Sequence, residues 1–483
     1  MAVPKPEFKQ APPSVAARVR PFSVAPAEDL LYSLAADGSR RWMDPKLERG
    51  RFWRIRLWLA VFLIALFVAL PLLRINGKPG MFIDTSQWQL HLLGATFHPT
   101  ENLLLLSFGA CVLISLLVAT ALFGRLWCGY ACPQPIYLEF VYRPIERLIE
   151  GKPAARRRRD AGPWSAARLG RKLAKWSLWA LVSLLLSATF VAYFVSWPVL
   201  WEALTRAPGE HFGALLAMTA TAALMLLDFS YFRDQMCTVA CPYGRLQTVI
   251  YDSDTVIVGY DSARGEPRKK KRKPEDEDEY GDCIDCGRCL RCCPTGMDIR
   301  RGLQMECIGC AQCVEACDEV MEKLHKPRGL IRYTSLRELE HGERRFWRPR
   351  LFFYGAILVF AFGALGALAI GRSDAGAEVL RSGREPYRMI KDDQVANLLR
   401  VRLTNHRAAP QAFTVELIEP AGAALIVSQS PFVVAANHVE TLDVVATLPA
   451  SAFARGQAKG RFVIRSDAGV ELEQEFVLLG PYR

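Results

Sequence analysis

Long apolar runs, charged residues and cysteines are each absent from particular parts of this 483-residue chain. No long apolar run occurs in the first fifty residues, which form a polar, proline-containing tail, so we expect no signal peptide. No cysteine follows Cys317, so no disulfide can form within the segment after Gly371. Ionised side chains are absent from five apolar runs, with Asp228 as the exception. These absences point away from a secreted, disulfide-stabilised protein.

The five apolar runs predict membrane-spanning helices. A helix needs about 20 apolar residues to cross the hydrocarbon core, and each run approaches or exceeds that length. We therefore expect a multi-domain membrane protein with five spans in contact with membrane lipid. The predicted spans are Leu57–Leu73, Leu103–Gly124, Trp176–Trp201, Phe212–Phe232 and Leu351–Gly371.

The net charge of +12 is distributed unevenly between these runs. Six Lys or Arg residues lie in Arg41–Arg56, eleven in Arg143–Lys175 and seven in Arg264–Lys273, whereas Arg74–Asn102 holds two. Because basic loops remain in the cytoplasm, we expect the N-terminus and the cysteine-rich region inside, and the region after the fifth run outside. The basic residues are thus an orientation signal, and we expect no nucleic acid as a partner.

Nine of the fourteen cysteines lie between Cys283 and Cys317. They form two runs in which three cysteines are spaced by two residues and a fourth follows after three, the pattern of bacterial ferredoxins with two [4Fe–4S] clusters. In that pattern the fourth cysteine of each run ligates the other cluster. The first predicted ligand set is Cys283, Cys286, Cys289 and Cys317, and the second is Cys307, Cys310, Cys313 and Cys293.

A zinc ribbon is the alternative for this region, since zinc also accepts thiolate ligands. Two consecutive runs of four cysteines are hard to arrange as tetrahedral zinc sites, which favours iron–sulfur clusters. Cys292 is left over, because Pro294 after Cys293 favours the latter as the ligand. We expect Cys292 to be a packed or partly exposed thiol.

A second cysteine signature occurs twice, at the predicted inner ends of the second and fourth spans. Each copy has two cysteines separated by three residues and followed by proline, and two similar helical hairpins would bring the copies together. Four soft thiolates select Cu(I), zinc or a further iron–sulfur cluster, while pairs of buried structural thiols are the other interpretation. The residues of this candidate metal site are Cys128, Cys132, Cys237 and Cys241.

Proline after the second cysteine of each copy predicts the start of a helix. Ile136–Ile149 and Tyr243–Tyr251 have amphipathic spacing, so Cys132 and Cys241 would precede the positive ends of helices. A thiol in that position is expected to have a lowered pKa and to be a good metal ligand.

The final part of the chain predicts an all-β domain. After Gly371, β-branched and apolar residues alternate between Pro, Gly and Asn turns, which indicates a small antiparallel sandwich. Its expected strands are Asn397–Leu403, Gln411–Leu417, Glu440–Leu448, Gly460–Arg465 and Val470–Leu479. The predicted segments are a cytoplasmic tail (1–50), a four-span membrane domain (51–255), a charged linker (256–280), a 2[4Fe–4S] ferredoxin module (281–333), a charged connector (334–350), the fifth span (351–371) and the β domain (372–483).

The combination of motifs resembles the FixG/RdxA/CcoG family of polyferredoxin-like accessory proteins in cbb3-type cytochrome oxidase assembly. The resemblance rests on both copies of the Cys-x3-Cys-Pro signature, on Cys283–Cys317, on Asp318–Met321, on Gly329–Thr334 and on the final β domain. It covers nearly the whole chain, although ferredoxin-type quinol dehydrogenases such as the NapH group share the membrane signature. The final domain of the family is immunoglobulin-like, and the resemblance implies that fold for residues 372–483.

The resemblance implies a cupric reductase of the bacterial inner membrane, which reduces Cu(II) to Cu(I) for the copper centre of the oxidase. It implies two [4Fe–4S] clusters, copper as a substrate or bound ion, and a periplasmic β domain. Expected partners are an unidentified cytoplasmic electron donor and copper chaperones or oxidase assembly proteins, and a homodimer is compatible with these features. The catalytic and copper-binding residues would be Cys128, Cys132, Cys237 and Cys241.

Two other functions fit the same motifs. A quinol-linked electron conduit would need a quinone pocket among the spans, for which the sequence has no diagnostic motif. A non-catalytic assembly scaffold would bind oxidase subunits with the β domain and would use its clusters as sensors or structural elements. Copper turnover distinguishes the enzyme from the scaffold, and quinol-dependent cluster reduction distinguishes the two redox functions.

The charge bias predicts opposite sides of the membrane for the ferredoxin module and the β domain. In reporter fusions, alkaline phosphatase should be active after Pro386 and inactive after Gly265, while a fluorescent protein that folds only in the cytoplasm should show the reverse. Equal signals at both positions would mean that the number of spans between them is even, contrary to the prediction.

Overall fold

The computed structural model describes most of the chain after residue 39. Most of the predicted N-terminal tail and the charged runs of the predicted linker lie outside the described residues. The described residues are 40, 42–75, 78–85, 89–97, 102–206, 208–269, 280–343, 348–371, 373–383, 385–390, 393–407, 409–436 and 438–482.

These residues form two compact units. The first contains the described residues up to Phe362, except 89–90, 95–97 and 102–107. The second contains 89–90, 95–97 and 102–107 together with the described residues of 363–482. The first unit holds the cysteines, and the second is mainly the β domain.

Five helices in the described part of the chain are long and apolar enough to cross a membrane. A helix pairs its own backbone donors and acceptors, which is the condition for crossing hydrocarbon. The first helix begins at Arg51, earlier than predicted, and the third ends at Val195 because Ser196 adopts a φ of 69°. The five helices are Arg51–Ala69, Leu103–Phe123, Ala166–Val195, Phe212–Phe232 and Pro349–Ile370.

Shorter elements connect the spans. The helices among them are Leu126–Tyr130, Pro133–Tyr137, Arg143–Glu150, Pro153–Asp160, Trp197–Thr205, Pro242–Ile250, Ser262–Gly265, Arg288–Cys292, Gln312–Lys323 and Leu336–His341. π-helical turns occupy Leu138–Tyr142, Asp228–Phe232 and Met236–Ala240, and a 3₁₀ turn occupies Ile299–Arg301. Short strands between the first two spans are Arg74–Ile75, Lys78–Pro79, Met81–Asp84, Gln89–Leu92 and Ala95–Phe97.

Aromatic side chains fix the helix after the first cysteine signature against the third and fourth spans. The ring of Tyr142 stacks on Phe229 with centroids 4.3 Å apart. Its hydroxyl lies 2.7 Å from the Ser183 hydroxyl, and its carbonyl accepts a hydrogen bond from the Trp179 indole at 3.2 Å. Because these rings are buried, the two cysteine signatures are held in one helical bundle.

The ferredoxin module begins earlier in the chain than predicted. Strand Ile257–Tyr260 pairs antiparallel with Ile331–Thr334, so part of the predicted linker belongs to the module. Val258, Met321 and Leu330 are buried in a core that also contains predicted ligand cysteines. The pairing joins residues more than seventy positions apart, which local sequence patterns do not reveal.

The residues before the first span cross the surface of the module. The Lys46 amide donates to the Arg291 carbonyl at 2.9 Å. The Gly50 and Trp53 amides both donate to the Glu315 carboxylate at 3.1 Å, so this carboxylate accepts from the free amides at the start of the first span. The first membrane helix is thereby tied to helix Gln312–Lys323.

The β domain is a sandwich of two antiparallel sheets. Four of the five strands predicted from the sequence lie within observed strands, and the fifth, Val470–Leu479, is observed as Glu471–Leu479. Four shorter strands in the described residues were not predicted. One sheet has the order Ala424–Val427, Val439–Pro449, Gln394–Asn405 and Ala375–Arg381, with Arg388–Ile390 also paired to Gln394–Asn405. The other has the order Phe432–Val434, Gln411–Glu419, Gln457–Ser466 and Glu471–Leu479.

Alternate side chains of these strands form the domain core. Leu399, Leu403, Phe413, Phe462 and Ile464 are almost completely buried there. The alternation of buried and exposed residues along the strands is the feature that makes such a domain recognisable from sequence.

The buried ring of Phe462 predicts a large effect on stability. Phe462→Ala should lower the free energy of unfolding of the β domain by about 3–5 kcal/mol, because it leaves a cavity in the core. Denaturant titration of the full-length protein in detergent, read out by proteolysis, measures this change. Val477→Ala is the control, since Val477 is 44% exposed, and should change the free energy by no more than about 0.5 kcal/mol. Equal losses in both variants would contradict the described core.

Candidate metal centres

Each predicted set of cluster ligands lines one cavity in the ferredoxin module. One cavity is lined by all four cysteines of the first set, together with Tyr260 and Arg300. The other is lined by all four cysteines of the second set, together with Pro294 and Met297. Cys289 lines both cavities, so the two lie side by side. The distant fourth cysteine of each run thus lies with the other run, and these residues fit two iron–sulfur clusters.

The backbone between the cysteines turns tightly enough to direct several thiols into one cavity. Asp285 and Gly287 have φ values of 48° and 63° on either side of Cys286. Gly309 and Ala311 have φ values of 68° and 58° on either side of Cys310. The two runs therefore use the same left-handed turns at corresponding positions, which follows from their identical spacing.

Burial dominates the electrostatics of these thiols. It raises the pKa of Cys289 and of Cys310 to about 11. The guanidinium groups of Arg300 and Arg56 act in the opposite direction on Cys289 and Cys310, respectively. Binding of a cationic metal centre supplies the further stabilisation that the thiolate form requires.

Cys292 lies outside both cavities. Its side chain is 1% exposed, and its thiol donates to the Cys289 carbonyl at 3.3 Å. Burial raises its pKa, so of the two environments expected from the sequence, packed and partly exposed, the structure has the packed one.

The two membrane cysteine signatures have the predicted local structure. Cys132 and Cys241 are the N-cap residues of helices that begin at Pro133 and Pro242. Cys237 lies in the π-helical turn Met236–Ala240, and such turns are frequent at functional sites.

The bundle brings the four membrane thiols into electrostatic range of one another. The charges of Cys132, Cys128 and Cys241 all act on Cys237. Gln247 is completely buried and donates from its amide nitrogen to the Cys128 thiol at 3.5 Å. The two signatures therefore face a common region, as the predicted pairing of hairpins requires.

The expected lowering of the thiol pKa is wrong for Cys132. Burial raises its pKa to about 11, and the thiolates at Cys128 and Cys241 raise it further. Burial likewise raises the pKa of Cys128 and Cys237. A helix N-terminus stabilises an anion modestly, and loss of hydration outweighs that effect at these half-buried positions.

Within the described ranges, no three His, Cys, Asp or Glu side chains are already arranged around a single metal ion. The four membrane thiols are neighbours with a shared environment, and they would have to move towards a bound ion. Soft metals such as Cu(I) are the ions that thiolates bind best.

A buried network of charges joins the two signatures. Arg143, in the helix after the first signature, pairs with Glu139 at 2.7 Å and lies 3.9 Å from Asp234. Arg233 pairs with Glu146 at 2.7 Å. Since Arg233 and Asp234 directly precede the second signature, these pairs fix its position relative to the first.

The ferredoxin module packs directly on the first membrane signature. The Cβ of any side chain at position 129 would lie only 2.8 Å from the carbonyl oxygen of Ile308. Ile308 stands in the chain between two cysteines of the second predicted set. The Arg56 guanidinium, 2% exposed, donates to the Gly129 carbonyl at 2.7 Å. On the other side the Tyr333 hydroxyl donates to the Gly309 carbonyl at 2.6 Å. The second predicted cluster set is therefore the one next to the membrane thiols.

We call the contact between the ferredoxin module and the membrane signatures the junction. Three buried residues at this junction were not found from the sequence. Arg56 and Arg125 stand at the borders of apolar runs, where a basic residue is normally read as an orientation signal. Gln247 lies six residues after Cys241 in an amphipathic helix, and no spacing rule marks it.

Comparison with known proteins gives matches along the chain. A family model described as a 4Fe-4S dicluster domain matches residues 232–336, and one described as a 4Fe-4S binding domain matches residues 104–153. A model of the IG-like fold at the C-terminus of FixG matches residues 365–481. Protein RdxA of Cereibacter sphaeroides is 31% identical over 393 residues, which cover 78% of this chain and 82% of that protein. The chain belongs to the FixG/RdxA family.

Two further relatives extend the FixG/RdxA match. Protein RdxB of Cereibacter sphaeroides is 32% identical over 403 residues, which cover 80% of this chain and 84% of that protein. The nitrogen fixation protein FixG of Rhizobium meliloti is 30% identical over 470 residues, which cover 86% of this chain and 88% of that protein.

The predicted fold class is confirmed. The protein is an iron–sulfur electron-transfer protein of the FixG/RdxA type, with five apolar helices, a ferredoxin module and a C-terminal Ig-like domain. The 4Fe-4S dicluster match starts at residue 232 and so includes Cys237 and Cys241 as well as the module.

The crossed ligand sets predict different outcomes for two cysteines of the module, Cys317 and Cys292. Wild-type protein should contain about eight iron atoms per chain, and Cys317→Ser should lose the signal of one cluster and retain the other. Cys292→Ser is the matched control and should retain all the iron, because Cys292 lines neither cavity. Anaerobic iron and sulfide analysis with electron paramagnetic resonance measures both. Bound zinc in place of iron, or iron loss on changing Cys292, would contradict the assignment.

Proposed function

We propose that this protein reduces Cu(II) to Cu(I) in the bacterial inner membrane, with Cys128, Cys132, Cys237 and Cys241 binding the copper substrate. The proposal is supported by one juxtaposition: the first membrane signature packs against the loop that carries the second predicted cluster set. The product would serve the copper centre of cbb3-type cytochrome oxidase, as the family resemblance suggests.

The redox balance of the reaction is simple. Each Cu(II) ion gains one electron to become Cu(I), and a low-potential one-electron carrier of the cytoplasm is oxidised in exchange. When bound, the [4Fe–4S] clusters supply one-electron transfer between such a carrier and the copper substrate.

The chain contributes by its choice of ligands for copper. Thiolates bind Cu(I) more tightly than Cu(II), and this difference in binding free energy raises the potential of the copper couple. Reduction is then favoured at the site where the ion is held. The Gln247 amide, which donates to the Cys128 thiol, orients one ligand of the set.

The chain also excludes water from the route. Arg56, Arg125 and Gln247 are all buried at the junction, with exposures of 2%, 7% and 0%. A dry junction keeps the dielectric low and limits the reorganisation that accompanies a change of charge. The ferredoxin module and the membrane thiols would therefore exchange electrons without a solvent-filled gap.

The orientation of the protein sets the sides on which these events occur. With the basic loops inside, the ferredoxin module meets the cytoplasmic carrier and the Ig-like domain lies in the periplasm. The Ig-like domain would bind copper chaperones or oxidase assembly proteins, which separates the delivery of copper from the supply of electrons.

Removal of one thiol from each membrane signature tests the copper site. The double variant Cys132→Ser/Cys241→Ser should insert and keep its iron–sulfur signals, but should lose Cu(I) binding and cupric reduction. Anaerobic copper titration measures the binding. Protein whose clusters have been reduced and freed of excess reductant is then mixed with Cu(II), and a Cu(I) chelator measures the reduction. Cys111→Ser is the matched control, because Cys111 is a buried thiol in the second span outside both signatures.

The outcome separates the rival functions. Full copper affinity and reductase activity in the double variant would refute the four-thiol copper site. Loss of iron in the same variant would show that these cysteines serve the clusters or the fold. Cluster reduction by a quinol analogue, with no turnover of copper in the wild type, would favour the quinol-linked conduit.

A further inference from the structure

Arg125 contacts the backbone at one candidate metal centre and close to the other. It lies between the end of the second span and Cys128, and its side chain is 7% exposed. One guanidinium nitrogen donates to the carbonyl of Cys307 at 3.3 Å, and the other donates to the carbonyl of Gly244. Cys307 belongs to the second predicted cluster set, and Gly244 lies in the helix that begins after Cys241.

The backbone of Arg125 is fixed at the same junction. Its carbonyl accepts a hydrogen bond from the Gly129 amide at 3.2 Å. The same carbonyl would lie 3.1 Å from a Cβ at Gly309, where only glycine tolerates both the contact and the φ of 68°. The guanidinium is therefore held both by its own hydrogen bonds and by the fixed backbone of Arg125.

Arg125 and Arg300 differ in their charged partners. Among the described residues no carboxylate makes an ion pair with Arg125, although Glu306 lies within electrostatic range. By contrast, Arg300, beside the first predicted set, pairs with Asp298 at 2.8 Å and also with Asp285. A buried cation without a carboxylate partner is costly unless another negative charge lies close. The charge of Arg125 acts on Cys128 and Cys307, so a negatively charged metal–thiolate centre held by these residues would supply that charge.

We propose that Arg125 is a positioning residue for electron transfer between the group held by the second predicted cluster set and the four-thiol site. Its charge stabilises the more negative, reduced form of that group, and its two hydrogen bonds fix the separation of the two centres. Charge–charge interactions are strong in a dry, low-dielectric junction, so this one side chain sets both the driving force and the geometry. The four-thiol site as redox partner and the direction of transfer rest on the proposed function, whereas the effect of the Arg125 charge on the cluster set does not.

Two substitutions separate the charge from the hydrogen-bonding shape. Arg125→Gln removes the charge, and Arg125→Lys keeps it but loses the planar fork that spans two carbonyls. Redox titration of the full-length protein, monitored by electron paramagnetic resonance, gives the midpoint potential of each cluster. Rapid mixing of the reduced protein with Cu(II) gives the rate of cluster reoxidation.

We expect Arg125→Gln to lower the potential of one cluster and leave the other unchanged. The reduction equilibrium of that cluster should fall by roughly ten- to hundredfold, the size expected for one hydrogen bond to a charged group. Arg125→Lys should keep the potential near the wild-type value while reoxidation by Cu(II) slows. Arg300→Gln is the control, because Arg300 stands by the other cavity, and should leave the Arg125-sensitive signal unchanged.

Other outcomes overturn the proposal. Unchanged potentials in an Arg125→Gln protein that retains about eight iron atoms would show that the charge has no such effect. If Arg125→Gln loses iron, the Arg125→Lys variant tests the proposal instead. A wild-type cluster potential with slow reoxidation in that variant supports the proposal, whereas loss of iron in both variants would show that the residue is purely structural. The cluster potentials test the role of Arg125 even if the wild-type protein reduces no copper. Failure of this inference can therefore be distinguished from failure of the proposed function.

Discussion

The close approach of two backbones, at Gly129 and at Ile308–Gly309, is the constraint on which the arrangement of metal centres depends. The cavities of the two predicted cluster sets share Cys289, and the loop of the second set packs on the membrane signature. The three candidate centres thus follow one another in a single order. A larger residue at position 129 would separate the module from the membrane thiols, because the obstructing atoms are backbone and cannot rotate away.

Charge is buried around this contact to an extent that stability alone does not explain. Glu139, Arg143, Glu146 and Arg233 are all less than a tenth exposed. Desolvation of such pairs cancels much of their attraction, so they contribute little net free energy of folding. Their hydrogen bonds have strict geometry, however, and an alternative packing of the helices would leave a buried charge unpaired. We infer that the network specifies the relative placement of the two cysteine signatures.

The features predictable from the sequence were those encoded by spacing. The crossed cysteine runs, the five apolar helices and the proline-initiated helices after Cys132 and Cys241 are all local patterns. The thiol pKa was mispredicted because burial is a property of the assembled bundle. The start of the module was misplaced because strand Ile257–Tyr260 acquires its partner only at Ile331–Thr334. Arg125 was not identified for the same reason, because its role depends on residues that pack against it only in the folded protein.

The pairing of Ile257–Tyr260 with Ile331–Thr334 also orders events during synthesis. All nine cysteines of the module lie between these strands, so the module cannot close until the ribosome has translated its last thiol ligand. The fourth span has by then been translated, whereas the fifth begins only at Pro349. Iron and sulfide can therefore be delivered to an open module in a chain whose first four spans have already been translated.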